Sequence, residues 1–150
     1  MKKPILCSAC LLGLNTKYNG ENNLNKKVIE LSKTELLVPV CPEQLGGMPT
    51  PRKPQQLQNC SGEDVLDRKG KIKNEQGKDG SLGFIKGAQE TLKIAKFLGV
   101  KKAILKQKSP SCGCGLVHDG SFTGRVIKGN GVASALLKRN GIEVISEDEV

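Results

Sequence analysis

The stretch Ser109-Pro110-Ser111-Cys112-Gly113-Cys114-Gly115 places two thiols and two hydroxyls within seven residues. It follows the apolar run Ala103-Ile104-Leu105, which reads as a buried strand. Gly113 and Gly115 let the backbone turn sharply and approach a bound group. Pro110 biases Ser109 away from helical angles, so the chain leaves the strand extended. A thiol on such a loop can be aimed at a ligand. The ordinary alternative is a small apolar filler, because free cysteine is often buried. Two further cysteines in similar positions favour the ligand role. Cys10 follows the apolar run Pro4 to Ala9, and Cys41-Pro42 ends the run Leu36 to Val40.

Three thiolates can hold a zinc ion with one open position, or a cubic iron–sulfur cluster with one iron free of protein. Either open position is a Lewis acid that binds and polarises a substrate atom. Glu43 lies two residues past Cys41, and Ser109 and Ser111 flank Pro110 just before Cys112. A carboxylate and hydroxyls beside an open metal position can act as base, acid or substrate anchor. Arg52 and Lys106 are weaker candidates, as cations that attract an anionic or carbonyl-rich substrate. Cys7 sits inside the first strand and reads as core. Cys114 stands too close to Cys112 to share its aim, and Cys60 lies in a polar loop; neither is assigned a role. The spacing of the six cysteines fits no zinc ribbon or finger, and His118 is the sole histidine.

The elements that must position these residues follow from the pattern. Strand one covers Pro4 to Ala9, and Leu11 to Gly20 is a loop. A helix starts near Asn22 or Asn23, with Leu24, Val28 and Leu31 on one face. Strand two covers Leu36 to Val40, and a glycine- and proline-rich connection follows through Arg52. Residues 62–73 are predicted as a small hairpin turning at Arg68-Lys69-Gly70. A long helix runs from Ser81 to Leu98, with Ile85, Ala88, Leu92 and Ala95 as its apolar stripe and Gly99 as its stop. Lys101 to Leu105 is the third core strand. Leu116 to Val126 reads as a second hairpin with Asp119-Gly120 as its turn. A helix from Gly131 to Asn140 and a strand from Ile142 to Ser146 complete the chain. Alternating strands and helices predict an α/β fold: one domain over residues 1–150, with a mostly parallel, Rossmann-like open sheet, flanking helices and small hairpin insertions. Right-handed crossovers favour the core-strand order 2-1-3-4. Strand one then lies at the switch point, where open sheets bind ligands beyond the strand C-termini. Cys10, Cys41 and Cys112 converge on that crevice.

Composition narrows the classes. The chain of 150 residues is 37% hydrophobic with no Trp and one Tyr, so aliphatic residues build the core. No apolar run reaches the ~20 residues that span a membrane. The apolar part of the N-terminus is shorter than the ~7–15 residues of a secretory segment, so a cytoplasmic location is expected. In a reducing compartment six cysteines point to metal or redox chemistry rather than a disulfide framework. The +9 charge comes from scattered lysines without a dense block or aromatic platform. It reads as solvated surface in preference to a nucleic-acid face.

Taken in order, several motifs resemble the thiouracil desulfidase family. They are Ser8-Ala9-Cys10-Leu11-Leu12-Gly13, Cys41-Pro42-Glu43 with Gly46-Gly47 and Pro51-Arg52, Lys86-Gly87-Ala88, and Leu105-Lys106 through Ser109-Pro110-Ser111-Cys112-Gly113. Asp119-Gly120 with Phe122, and Gly129 through Gly131-Val132, continue the match over nearly the whole chain. The resemblance implies a [4Fe–4S] cluster held by Cys10, Cys41 and Cys112, with Glu43 and Ser109 as the catalytic pair. It implies that the iron without a protein ligand takes the sulfur of a thiocarbonyl nucleobase such as 2-thiouracil. Water replaces that sulfur without net redox change. Asn19 stands where the family has Asp, and His118 where it has Tyr; both bear on substrate identity. Cys7 and Cys114 replace commoner small or apolar residues. Two rival readings are a thiol–disulfide reductase using Cys7 and Cys10, and a binding module for thiolated RNA motivated by the charge.

Overall fold

A computed structural model describes residues 2–150. Its centre is a four-stranded sheet of β1 (Pro4–Ser8), β2 (Leu36–Val40), β5 (Lys102–Leu105) and β8 (Glu143–Ser146), in the order β2-β1-β5-β8. All three pairings are parallel. This is the expected order, with β1 at the switch point. Pro39, which has no N–H to give, is tolerated because β2 lies at an edge.

Helix α4 (Ser81–Leu98) and helix α5 (Val132–Arg139) cover one face. There Leu6, Ala95, Ala103, Leu105, Leu137 and Val144 form a continuous core. Each such side chain, fully buried, contributes about 1.5–3 kcal/mol for the larger aliphatics. The other face packs Cys7, Leu11 and Ile104 against Val28 of helix α1 (Lys26–Leu31). Asn25 caps α1, its side chain accepting from the Val28 amide at 3.1 Å, so the helix starts slightly later than the sequence suggests.

Beyond the strand C-termini the chain adds smaller pieces: α2 (Pro42–Leu45), β3 (Gln55–Leu57), α3 (Gly62–Leu66), β4 (Ile72–Asn74), β6 (Leu116–His118) and β7 (Val126–Lys128). β3 pairs antiparallel with β4, and β6 with β7. Two sequence expectations change here. Residues 62–73 are not a hairpin: Ser61 and Asp64 form a reciprocal capping box that turns Gly62–Leu66 into helix, and only Ile72 onward is strand, paired with Gln55–Leu57. The second hairpin does not close at Asp119-Gly120. His118 pairs with Val126 across a longer loop, in which the Asp119 side chain accepts from the Ser121 amide at 2.8 Å. The connection after Cys41 also begins with the unforeseen helix α2, whose first position is Pro42.

Candidate metal centre

Each of the three cysteines sits at a strand exit that the local sequence builds. Cys10 lies in a 3-10 turn, Ala9–Leu12, directly after β1. Its carbonyl accepts from the Gly13 and Asn23 amides, and Gly13 ends the turn at φ 92°. Cys41 is the residue before α2. Cys112 lies in the loop after β5, 5% exposed. That loop is held from behind by α5: Val132 N–H donates to the Pro110 carbonyl at 2.8 Å and Ala133 N–H to the Ser111 carbonyl at 2.9 Å. The approach requires a glycine at 131, since an added Cβ would lie 2.5 Å from the Ser111 carbonyl carbon. The Gly87 position is similarly closed by the Pro42 carbonyl, which locks α2 and Cys41 onto α4.

The three thiols line one cavity of ≈ 420 Å³ at the switch point. Burial pushes all three up from the ordinary thiol value, Cys112 to about 12. Opposing this, the Asn23 side chain favours the charged form of Cys10, the Gln44 and Glu43 amides that of Cys41, and Ser8 that of Cys112; Ser111 lies 3.7 Å from the Cys112 sulfur, but its one proton goes to Glu43. Each set of donors is placed to stabilise a thiolate. The Cys112 sulfur feels the charges of both Cys10 and Cys41. Yet among the described residues no three His, Cys, Asp or Glu side chains close around a single metal ion. The three thiols line one crevice, and three cysteines are a donor set that fits a [4Fe–4S] cluster with one iron left open.

The remaining candidates line the same cavity. Ser111 Oγ donates to Glu43 Oε2 at 3.0 Å, and lies 3.2 Å from Ser109 Oγ. Ser109 Oγ already accepts the Cys112 amide at 2.8 Å and the Ser111 amide at 3.3 Å. Its proton is therefore directed to Ser111, and the hydroxyls form a chain pointing at Glu43. Arg52 Nε donates to Glu43 Oε1 at 3.0 Å, while its other nitrogens bond Thr50 Oγ1 and the Thr16 carbonyl, each at 2.8 Å. With a side chain only 7% exposed, Arg52 is engaged by the protein itself. Lys106 Nζ pairs with Glu147 Oε2 at 3.0 Å and donates to the Gln107 carbonyl.

Cys7 is fully buried in β1, its thiol pushed up to about 12 by burial first, then by Cys10 and Glu147. Cys114 donates to the Val144 carbonyl at 3.2 Å and Cys60 to the Lys71 carbonyl at 3.5 Å; neither lines the cavity. The sequence reading did not include Thr16, Asn23, Gln55, Gln56 and Glu147, which border the site or brace it. Glu147 lies far along the chain in a C-terminal 3-10 turn and carries no local signal. A second, larger cavity of ≈ 810 Å³ adjoins the first at Arg52 and Gln55, but it contains no cysteine.

The 2-thiouracil desulfurase family model matches residues 5–149. The chain belongs to this family. It is 43% identical over 146 residues to the uncharacterized protein YbbK of Bacillus subtilis (strain 168), covering 97% of each. Its fold is similar to that of a solved [4Fe-4S]-dependent thiouracil desulfidase, TudS, with a TM-score of 0.85 and 36% identity over 99% of this chain and 93% of that one. The matched span, residues 5–149, contains Cys10, Cys41, Cys112, Glu43, Ser109 and Ser111.

Proposed function

We propose that this chain is a [4Fe–4S]-dependent desulfidase acting on a thiocarbonyl nucleobase such as 2-thiouracil. The net reaction adds water, releases hydrogen sulfide and leaves an oxo group on the ring, with no electron gained or lost. The observation that carries this reading is the hydrogen-bonded chain from Ser109 through Ser111 to Glu43, lining the same cavity as three converging thiols. Cys10, Cys41 and Cys112 would hold the cluster. When bound, the cluster supplies an iron without a protein ligand, a Lewis acid for the substrate sulfur.

The protein's own groups then manage water and protons. Glu43 is the general base for the attacking water. Arg52 holds one carboxylate oxygen and Ser111 the other, so the carboxylate cannot rotate away from the cavity. Ser109, whose oxygen is filled by the Cys112 and Ser111 amides, gives its proton to Ser111 and keeps that hydroxyl turned toward Glu43, so Glu43 takes the proton from water directly. The pairing of Arg52 makes it a positioning residue for Glu43 rather than a substrate anchor. Lys106, paired with Glu147, supplies positive charge near Cys10. A reducing cytoplasm suits six free cysteines; no described helix is long and apolar enough to cross a membrane. Thiol–disulfide exchange by Cys7 and Cys10 is disfavoured, because Cys7 is fully buried inside β1 and does not line the cavity, so no partner disulfide reaches it.

The test is anaerobic reconstitution with iron and sulfide, followed by sulfide release and uracil formation from 2-thiouracil in 18O-labelled water. Label in the uracil oxygen at the former sulfur position is expected. A fully loaded protein that releases no sulfide from any thiolated pyrimidine would overturn the reading.

A further inference from the structure

His118 and Gln56 both line the cavity, His118 beside the loop that carries Cys112, where its amide donates to the Lys108 carbonyl at 3.4 Å. Their orientations are fixed by contacts on the side away from the cavity. Gln56 Oε1 accepts from the Gly120 amide at 3.1 Å and the Phe122 amide at 3.2 Å. Only the oxygen of an amide can accept, so Nε2 is the other atom, and it has no protein partner among the described residues. His118 Nδ1 is buried and also lacks a partner. A buried N–H with no acceptor is costly, whereas a bare lone pair there costs less. The ring proton therefore belongs on Nε2, the nitrogen left to the cavity. The two residues are fastened together: His118 opens the loop whose amides hold Gln56, and Asn59 N–H donates to the Asp119 carbonyl at 2.8 Å. The nearby acceptors, by contrast, are engaged. Glu43 is bonded by Arg52 and Ser111, and Gln107 Oε1 accepts from the Cys114 amide. His118 Nε2 and Gln56 Nε2 are thus open donors at the cavity.

Building on the desulfidase reading, we propose that His118 Nε2–H and Gln56 Nε2–H both donate to the exocyclic oxygen that remains on the pyrimidine ring, and so select a thiolated uracil over a thiolated cytosine. 2-Thiouracil and 2-thiocytosine share size and thiocarbonyl. They differ where one presents an oxygen acceptor and the other an amino donor. An amino group facing two fixed donors leaves all of them unpaired, and sites built to hydrogen-bond discriminate strongly on that basis.

The experiment compares kcat/KM for 2-thiouracil and 2-thiocytosine on cluster-loaded protein, and measures Kd for uracil and cytosine by calorimetry. Wild type should favour 2-thiouracil by about 10²-fold or more and bind uracil in preference to cytosine. His118→Phe should lower that preference by about tenfold, the size of one lost hydrogen bond. Gln56→Glu keeps an oxygen for the Gly120 and Phe122 amides but turns the cavity-facing donor into an acceptor. It should move the ratio toward 2-thiocytosine. A wild-type ratio near one, equal binding of uracil and cytosine, or a ratio unmoved by His118→Phe would overturn the proposal. Uracil preference without sulfide release from either base would support this subsite and overturn the desulfidase reading instead.

Discussion

The two walls of the crevice are built by opposite means. The cysteine wall is made from exits of long-range parallel strands, and its polar side chains are already paired within the protein. The second wall is made from β3 and β6, strands of three residues each, and it keeps donors open. A wall that must hold a cofactor and aim a base gains from groups locked to one another. A wall that reads a changing ligand needs unmatched groups on a rigid backing.

The contrast can be broken most severely at the thiols. Cys10→Ala, Cys41→Ala or Cys112→Ala should each abolish iron loading, from about four irons per chain to background. Cys60→Ala and Cys114→Ala should retain it; iron content and visible absorbance report both. Next in size, Glu43→Gln should leave loading intact but slow sulfide release by about 10²-fold or more, since Gln keeps the contacts to Arg52 and Ser111 but takes no proton. Unchanged turnover in the loaded variant would remove Glu43 from the chemistry.

A smaller effect sharpens the structural half of the comparison. Gly131→Ala drives a methyl group against the Ser111 carbonyl and should cost about 1–3 kcal/mol in a denaturant titration. Loading should suffer with it, because the loop it displaces carries Cys112. Smallest at neutral pH is the contribution of Cys7. Its folded thiol is raised from 9.0 to about 12, so the folded state holds a proton that the unfolded chain loses above about pH 9. The Cys7 contribution is present below pH 9 and is lost between about pH 9 and 12. The Cys7→Ala protein should show a shallower fall in stability over that range than wild type.

The two walls were also unequally legible. Apolar runs at Leu36–Val40 and Ala103–Leu105, and the stripe of α4, state the sheet directly; the run at β5 follows from its burial in the sheet centre, while β2 is apolar although it lies at an edge with Leu36 and Pro39 exposed. Cys10, Cys41 and Cys112 were therefore placed at strand exits from sequence. The second wall is written in segments too short for periodicity. Gln55–Leu57 carries no alternation long enough to count, and the helix at Gly62–Leu66 depends on one capping box that resembles turn composition. The role of Gln56 depends on amides more than sixty residues away. No local pattern encodes such a contact.

The origin of the three thiols at separate strand exits has a consequence for how the protein matures. A ligand set written as one short motif can capture metal on an unfolded chain. Here the third of the proposed ligands is supplied after β5, more than two thirds of the way along the sequence, and meets the others only when β1 has paired on both sides. Synthesis and folding must run nearly to completion before iron and sulfide have a place to go. The apoprotein is thus an obligatory stage, and its lifetime, exposed to oxygen and stray metals, is set by delivery of the cofactor rather than by the ribosome.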